Sequence, residues 1–238
     1  MTEHADPGAD LDDGLILGAS DRIELIATII MAAAAILTAW AAFQSAKWSG
    51  IQAIEFSKAN ASRVESTRFD TRAGQLTAVD VSVFLAWVEA VNAEIQSGQL
   101  SSASEYQPDP STLSGFYYSR MRDEFKPALE AWLATKPLET VGAPPTPFAM
   151  EQYQLADAAE ADRLLTEAGD HTDAALTANQ NSDNHVLTAV ALALVIFFGG
   201  VSSKLEVRRN RILTIALGVV LFLGAGVTLL LLPKVSPF

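Results

Sequence analysis

The chain has no cysteine among its 238 residues, and cations are scarce, with 16 lysine and arginine residues against 28 aspartate and glutamate residues. Without thiols, the chain cannot be a disulfide-stapled secreted domain, a Cys-ligated zinc protein or an iron–sulfur protein. The net charge of -12 would repel nucleic-acid phosphates. We therefore expect no nucleic-acid partner.

Recognisable catalytic patterns are missing as well. The sequence has no glycine-rich phosphate loop, no Gly-x-Ser-x-Gly elbow and no nucleophile at a readable spacing from a histidine. Glu167 and His171 are spaced i, i+4 and could share a metal ion, but two ligands do not complete a site, and we favour a solvated helix face instead. We predict that the protein is not an enzyme and that it carries no metal and no cofactor.

The sequence contains three long apolar runs without a charged residue, at 25–43, 186–203 and 212–232. A helix needs about 20 apolar residues to cross the hydrocarbon of a bilayer. Acidic residues precede the first run, so a signal peptide is disfavoured, although residues 39–42 resemble a cleavage site. The pattern predicts an all-α integral membrane protein with three transmembrane helices and an external helical-bundle domain built on outward extensions of the first two spans. The predicted segments are an acidic disordered tail at 1–21, a first span at 22–46, an external helical domain at 47–185, a second span at 186–203, a basic loop at 204–211, a third span at 212–232 and a short tail at 233–238.

The short basic loop between the last two spans predicts the orientation. Under the positive-inside rule, a loop this short and this basic lies in the cytoplasm, which places the N-terminus there too and residues 47–185 outside. Five basic residues follow the first span while only Arg22 precedes it, and this favours the opposite orientation, but long loops cross the membrane largely regardless of charge. The topology-determining residues are Lys204, Arg208, Arg209 and Arg211.

Apolar residues recur at helical spacing through the insert between the first two spans, which predicts four helical segments. The first span continues to Arg72, a second helix covers 76–95, a third begins after a Ser111 or Thr112 cap and restarts at Pro127, and a last helix covers 150–183. The proline-rich stretch 141–148 forms a stiff connector. The first extension is basic and the last is acidic, so antiparallel pairing would place Arg72 level with about Glu160. Two independently solvated faces are an equally good interpretation.

A cluster of polar and aromatic residues is predicted where the first two spans leave the bilayer. It could form a polar ring above an oligomer, or an aromatic belt whose neighbouring amides satisfy a helix hairpin, and we favour the belt. The alanine-rich first span would allow close helix contact, which favours a homo-oligomer. The residues of this predicted collar are Trp40, Gln44, Lys47, Trp48, Asp183 and His185.

Several segments carry a resemblance to a known family. These are 41–50 (AAFQSAKWSG), 59–61 (ANA), 144–148 (PPTPF) and 179–184 (NQNSDN). Together they resemble a family of uncharacterised bacterial three-span membrane proteins that is defined only as a domain of unknown function. The resemblance implies the bacterial inner membrane and brings no functional residues. The external part is also loosely similar to the four-helix sensor domains of chemoreceptors, although those have a large cytoplasmic output domain.

These observations favour a non-enzymatic integral membrane protein that self-associates or docks another envelope protein through its external helical stalk. The alternative is a subunit of an oligomeric channel or transport complex, and a third possibility is a ligand sensor that acts through a partner. The partners expected in each case are the lipid bilayer, further copies of the chain and another envelope protein.

Overall fold

The computed structural model describes residues 19–137 and 139–236, so most of the acidic tail predicted at 1–21 lies outside the described residues. All regular secondary structure in the described residues is helical, with no strand, which confirms the all-α prediction. The α-helices are α1 (Ala19–Gln96), α2 (Leu113–Arg120), α3 (Lys126–Ala134), α4 (Ala156–Ser202) and α5 (Arg208–Leu231), with short 3-10 turns at Ala103–Glu105 and Pro147–Ala149.

Three of these helices, α1, α4 and α5, are each long and apolar enough to cross a membrane. Their apolar stretches coincide with the three runs read from the sequence. The chain therefore has the helices of a multi-pass membrane protein.

The chain divides into two compact units. The first, which we call the membrane unit, comprises the described residues of 19–56 and 173–236 and contains the three apolar stretches. The second, which we call the helical domain, comprises the described residues of 57–172.

Small residues at seven-residue spacing allow the helices of the membrane unit to pack closely. Ala27, Ala34 and Ala41 of α1 are buried, and Ala34 packs in a cluster with Leu192 of α4 and Ala225 of α5. Residues on the outer faces of these helices, such as Ile29, Ile36, Leu187 and Leu223, are exposed in the chain itself. Small side chains inside and large apolar ones outside are the distribution expected of helices packed within lipid.

The same seven-residue spacing continues along α1 in the helical domain, where Ala59, Ser66, Ala73, Asp80 and Trp87 are all buried. The Ser66 hydroxyl donates a 2.8 Å hydrogen bond to the carbonyl of Ala161 in α4, a contact that only small neighbours permit. The repeat therefore marks the α1 face that packs against the rest of this domain.

The helical domain contains an aromatic core. Phe84 and Trp87 of α1 meet Phe125, Leu129 and Trp132 from the α3 region, and all five are buried. The Trp132 indole donates a 2.8 Å hydrogen bond to the Pro144 carbonyl, which ties the proline-rich connector to the core.

The helix boundaries differ substantially from the predicted ones in two places. The prediction of two helices at 22–72 and 76–95 was wrong, because α1 runs unbroken past Gly74, whose missing side chain faces open space, to Gln96. Gly98, with φ +77°, then turns the chain away. The last helix begins at Ala156 instead of residue 150, because Tyr153 packs its ring into the aromatic core.

The remaining boundary predictions hold or move slightly. Thr112 caps α2 by accepting a hydrogen bond from the Gly115 amide, as its position predicts, but α2 ends at Arg120, well before the predicted restart at Pro127. Pro127 lies in the first turn of α3 and restarts the helix. Helix α5 begins at Arg208, inside the predicted 204–211 loop.

The basic loop contributes one link between helices of the membrane unit. Arg211 lies 3.4 Å from the Glu24 carboxylate, and this pair joins α5 to α1. Lys204, Arg208 and Arg209 are exposed, as residues at a membrane surface should be. Their role in orientation stays a prediction.

Candidate functional site

The predicted collar residues fall into two groups. Gln44 and His185 are fully buried, and Trp48 is half-buried beside them. Lys47 and Asp183 are exposed. All of them belong to the membrane unit, so their contacts can be compared directly.

The buried group holds the C-terminal segment of the chain. The Gln44 amide pairs with the backbone of Val235 in both directions, donating to its carbonyl at 3.1 Å and accepting from its N–H at 2.8 Å. The Trp48 indole donates to the Pro233 carbonyl at 3.2 Å, and His185 Nε2 lies 3.0 Å from the same oxygen. We call Gln44, Trp48 and His185, with the backbone they hold, the C-terminal clamp.

His185 is oriented by this contact. A carbonyl oxygen can only accept, so Nε2 carries the proton that it donates to Pro233. The other ring nitrogen, Nδ1, is buried and has no hydrogen-bond partner among the residues that the structure describes. The ring is therefore held through Nε2 alone.

A serine cluster joins α1 to α4 next to the clamp. The Ser182 hydroxyl lies 2.9 Å from the hydroxyls of both Ser45 and Ser49 and 3.1 Å from the Ser45 carbonyl. Small hydroxyl side chains let two helices approach while keeping their polar atoms paired. The cluster positions Gln44 and His185, one on each helix, to reach the same segment.

The other collar residues make different contacts. Lys47 Nζ lies 6.0 Å from the centre of the Phe43 ring, and Asp183 accepts a 3.2 Å hydrogen bond from Asn179 one turn earlier in α4. Trp40 lines an apolar groove between α1 and α5. The structure thus brings together three of the six predicted residues, around the chain's own C-terminus.

A second polar cluster, which sequence reasoning missed, lies inside the helical domain. Asp80 is 2% exposed, accepts a 3.0 Å hydrogen bond from the Tyr153 hydroxyl and lies 3.6 Å from Arg122 Nε. Arg122 also pairs with Glu124, and the Tyr153 oxygen is 3.2 Å from the Thr77 hydroxyl. The available signal was an aspartate in the seven-residue repeat of buried positions.

Burial raises the pKa of Asp80 above its ordinary value of 3.8, and the Tyr153 hydrogen bond and the Arg122 charge oppose that rise only in part. An acid whose pKa is higher in the folded state stabilises the fold most when it is protonated. That contribution is therefore present below about pH 4 and is lost as the pH rises through the raised pKa.

We accordingly expect the free energy of unfolding of the helical domain to contain an Asp80 contribution that falls with increasing pH, by at most about 1.4 kcal/mol per pH unit. Asp80→Asn should remove that slope. Denaturant midpoints of the full chain, followed by near-UV circular dichroism between pH 4 and 7, would measure it. Asp70→Asn, at an exposed position of α1, is the matched control and should leave the slope unchanged. An unaltered slope in Asp80→Asn would contradict the assignment.

Charge pairing within the helical domain partly follows the predicted antiparallel register. Arg72 of α1 forms a 3.0 Å ion pair with Asp157 of α4, one helical turn from the predicted Glu160. Arg68 and Arg163 pair with carboxylates of their own helices, Glu65 in α1 and Glu160 and Glu167 in α4. The basic and acidic faces are therefore joined by the Arg72–Asp157 ion pair and by a 2.7 Å hydrogen bond from Arg63 to the Thr172 hydroxyl.

The described residues contain no group of three or more histidine or carboxylate side chains arranged to hold a metal ion. His171 Nε2 lies 4.0 Å from Glu167, whose other oxygen accepts a hydrogen bond from Arg163. The pair considered at the sequence level is thus part of a surface network of ion pairs on α4.

Comparison with known proteins does not assign the chain to a family. No family model matches the chain, and neither a curated protein nor a solved structure matches it. The resemblances to the three-span family and to chemoreceptor sensor domains therefore remain predictions.

Proposed function

We propose that the chain is a non-enzymatic, multi-pass membrane protein whose helical domain lies outside the bilayer and associates with a second copy of itself. The membrane unit serves as the anchor. The basic loop supports a cytoplasmic N-terminus and an external helical domain, and the resemblance stated above supports a bacterial inner membrane.

An apolar stripe on the outer face of α1 carries the proposal. Val81, Leu85 and Val88 are spaced i, i+4 and i+7, so they lie along one side of the helix. Leu85 is 55% exposed and Val88 is 38% exposed, while Phe84 and Trp87 on the adjoining face fill the core. Large apolar side chains aligned on a helix outside the lipid mark an interaction surface.

The character of the stripe favours a second copy as the partner. A stripe without charged members is complementary to itself, and pairing about a two-fold axis buries the same residues from both chains. Another envelope protein with an apolar helix would satisfy the same surface, and co-purification would reveal it. Gln44, Trp48 and His185, three of the six collar residues, are engaged by the chain's own C-terminal segment, so we do not extend the proposal to a pore.

The test is the mass of the complex in nanodiscs, with lipid subtracted, for the wild type and Leu85→Glu. We expect a discrete dimer or higher oligomer for the wild type. We expect at least about a tenfold rise in the dissociation constant for Leu85→Glu, because each chain loses a buried leucine and gains a charge in the interface.

Leu165→Glu is the matched control, because Leu165 is 56% exposed on α4 of the same domain and lies outside the stripe. It should leave the mass unchanged. A monomeric wild type, or equal effects of the two substitutions, would refute association through the stripe.

A further inference from the structure

An apolar groove runs along the membrane unit between α1 and α5, with a volume of about 410 Å³. Leu37 and Trp40 form one wall, and Phe222, Gly226 and Leu230 form the other. Lys234 lies at its end, in the segment that follows α5. The groove is thus an open apolar depression between two spanning helices, and it ends at a lysine.

The position of that cation is fixed by the C-terminal clamp. The backbone of Pro233, on one side of Lys234, is held by Trp48 and His185, and the backbone of Val235, on the other side, is held by Gln44. Because the backbone on both sides of Lys234 is anchored, less backbone freedom is lost when its side chain binds a ligand. Lys234 is exposed and pairs with no carboxylate among the described residues.

The apolar walls of the groove and the charge of Lys234 together favour one class of ligand. The apolar walls suit a hydrocarbon chain, and a lysine ammonium is a compact charge that binds phosphate. Trp40, on the wall at the level of the helix ends, has the amphipathic ring that lies at the level of lipid headgroups. A transmembrane helix of another copy would suit the walls but would press an apolar surface on the Lys234 charge, which costs free energy.

We propose that this groove binds one acyl chain of an anionic phospholipid, whose headgroup phosphate is held by Lys234. The site lies wholly within the membrane unit and does not involve the α1 stripe. In this proposal the role of the C-terminal clamp is to position Lys234 at the end of the groove.

Native mass spectrometry of the full chain in detergent, with dioleoylphosphatidylglycerol or dioleoylphosphatidylcholine added, tests the charge. We expect one phosphatidylglycerol to be retained in preference to phosphatidylcholine. Lys234→Gln should weaken phosphatidylglycerol binding about fivefold, the factor expected for one lysine near an anionic lipid surface. Lys234→Arg should preserve the preference, and Lys47→Gln, at a cation that does not line the groove, should leave it unchanged.

Two glycine substitutions test the groove itself. A Cβ atom added at Gly226 or at Gly224 meets nothing within 4 Å, so the backbone at both positions accepts a side chain and we expect both variants to fold. Gly226 lines this groove, whereas Gly224 lines a different one between α4 and α5. Gly226→Leu should abolish retention of the lipid, and Gly224→Leu should not.

Three results would overturn the proposal. These are equal retention of the two lipids by the wild type, phosphatidylglycerol binding unaffected by Lys234→Gln, and equal loss in the two glycine variants. A dimer that dissociates on Gly226→Leu without any change in lipid retention would assign the groove to a second copy instead.

Discussion

Phe125→Ala is expected to destabilise the helical domain by about 3–5 kcal/mol, a large part of the stability of a domain of this size. Phe125 is fully buried, and its ring stacks on Phe148 at 5.0 Å between centroids. The rings of Phe84 and Tyr153 meet it edge-on at 6.1 and 5.8 Å. Removing the ring leaves a cavity bounded by other rigid rings, which cannot close around it.

The loss can be followed through the aromatic residues themselves. Near-UV circular dichroism of the full chain reports the packing of the aromatic core, and the denaturant midpoint of that signal should fall. Phe116→Ala is the control, because Phe116 is 48% exposed on α2. Its substitution should change the free energy of unfolding by less than about 1 kcal/mol. Equal shifts for the two variants would mean that Phe125 does not belong to a cooperative core.

The spans could be predicted from the sequence because their signal is local. A charge-free apolar run of about 20 residues has few alternatives to a membrane helix, whatever surrounds it. The Thr112 cap and the restart at Pro127 are equally local, since both depend on the chemistry of one turn. These predictions agree with α2, α3 and the three long helices.

The errors and omissions concern what tertiary packing decides. The predicted break between residues 72 and 76 contains Gly74, but a glycine costs only about 1 kcal/mol in a helix whose neighbouring turns are held by packing. Tyr153 was assigned to a helix, yet burying its ring in the aromatic core takes the chain out of helical geometry before Ala156. In both cases tertiary packing outweighed the conformational preference of the local sequence.

The contacts of the C-terminal clamp were beyond sequence reasoning for a different reason. Gln44 and Val235 are 191 residues apart, and no periodicity connects a glutamine side chain to a particular backbone amide. The level of Gln44 and His185 at the helix ends could be predicted from the spans. Their contacts with the backbone of Pro233 and Val235 could not.

Gly115→Ala is the second substitution for which we expect a large effect, a destabilisation of the helical domain of about 3 kcal/mol. A methyl group at this position would lie 1.8 Å from the backbone carbonyl oxygen of Asp109 and 2.4 Å from its carbon. Backbone atoms cannot rotate away as a flexible side chain can, so the turn before α2 must move. That movement would separate the Gly115 amide from its cap, Thr112, now 3.0 Å away.

The displacement would extend to the interface between α2 and α1. The buried carboxylate of Glu94 accepts hydrogen bonds from both the amide and the hydroxyl of Ser114, at 3.0 and 2.7 Å. A shift of the first turn of α2 would leave that carboxylate buried with its partners misplaced, which adds to the steric cost.

Gly74→Ala is the matched control for this prediction. It makes the same substitution in the same domain, at a helical glycine where the added methyl meets nothing within 4 Å. Because alanine is favoured over glycine inside a helix, Gly74→Ala should raise the free energy of unfolding by about 0.5–1 kcal/mol, and the denaturant midpoint should rise with it. The two variants should therefore shift the near-UV transition in opposite directions. A neutral or stabilising Gly115→Ala would mean that the Asp109 carbonyl does not lie against α2 in solution.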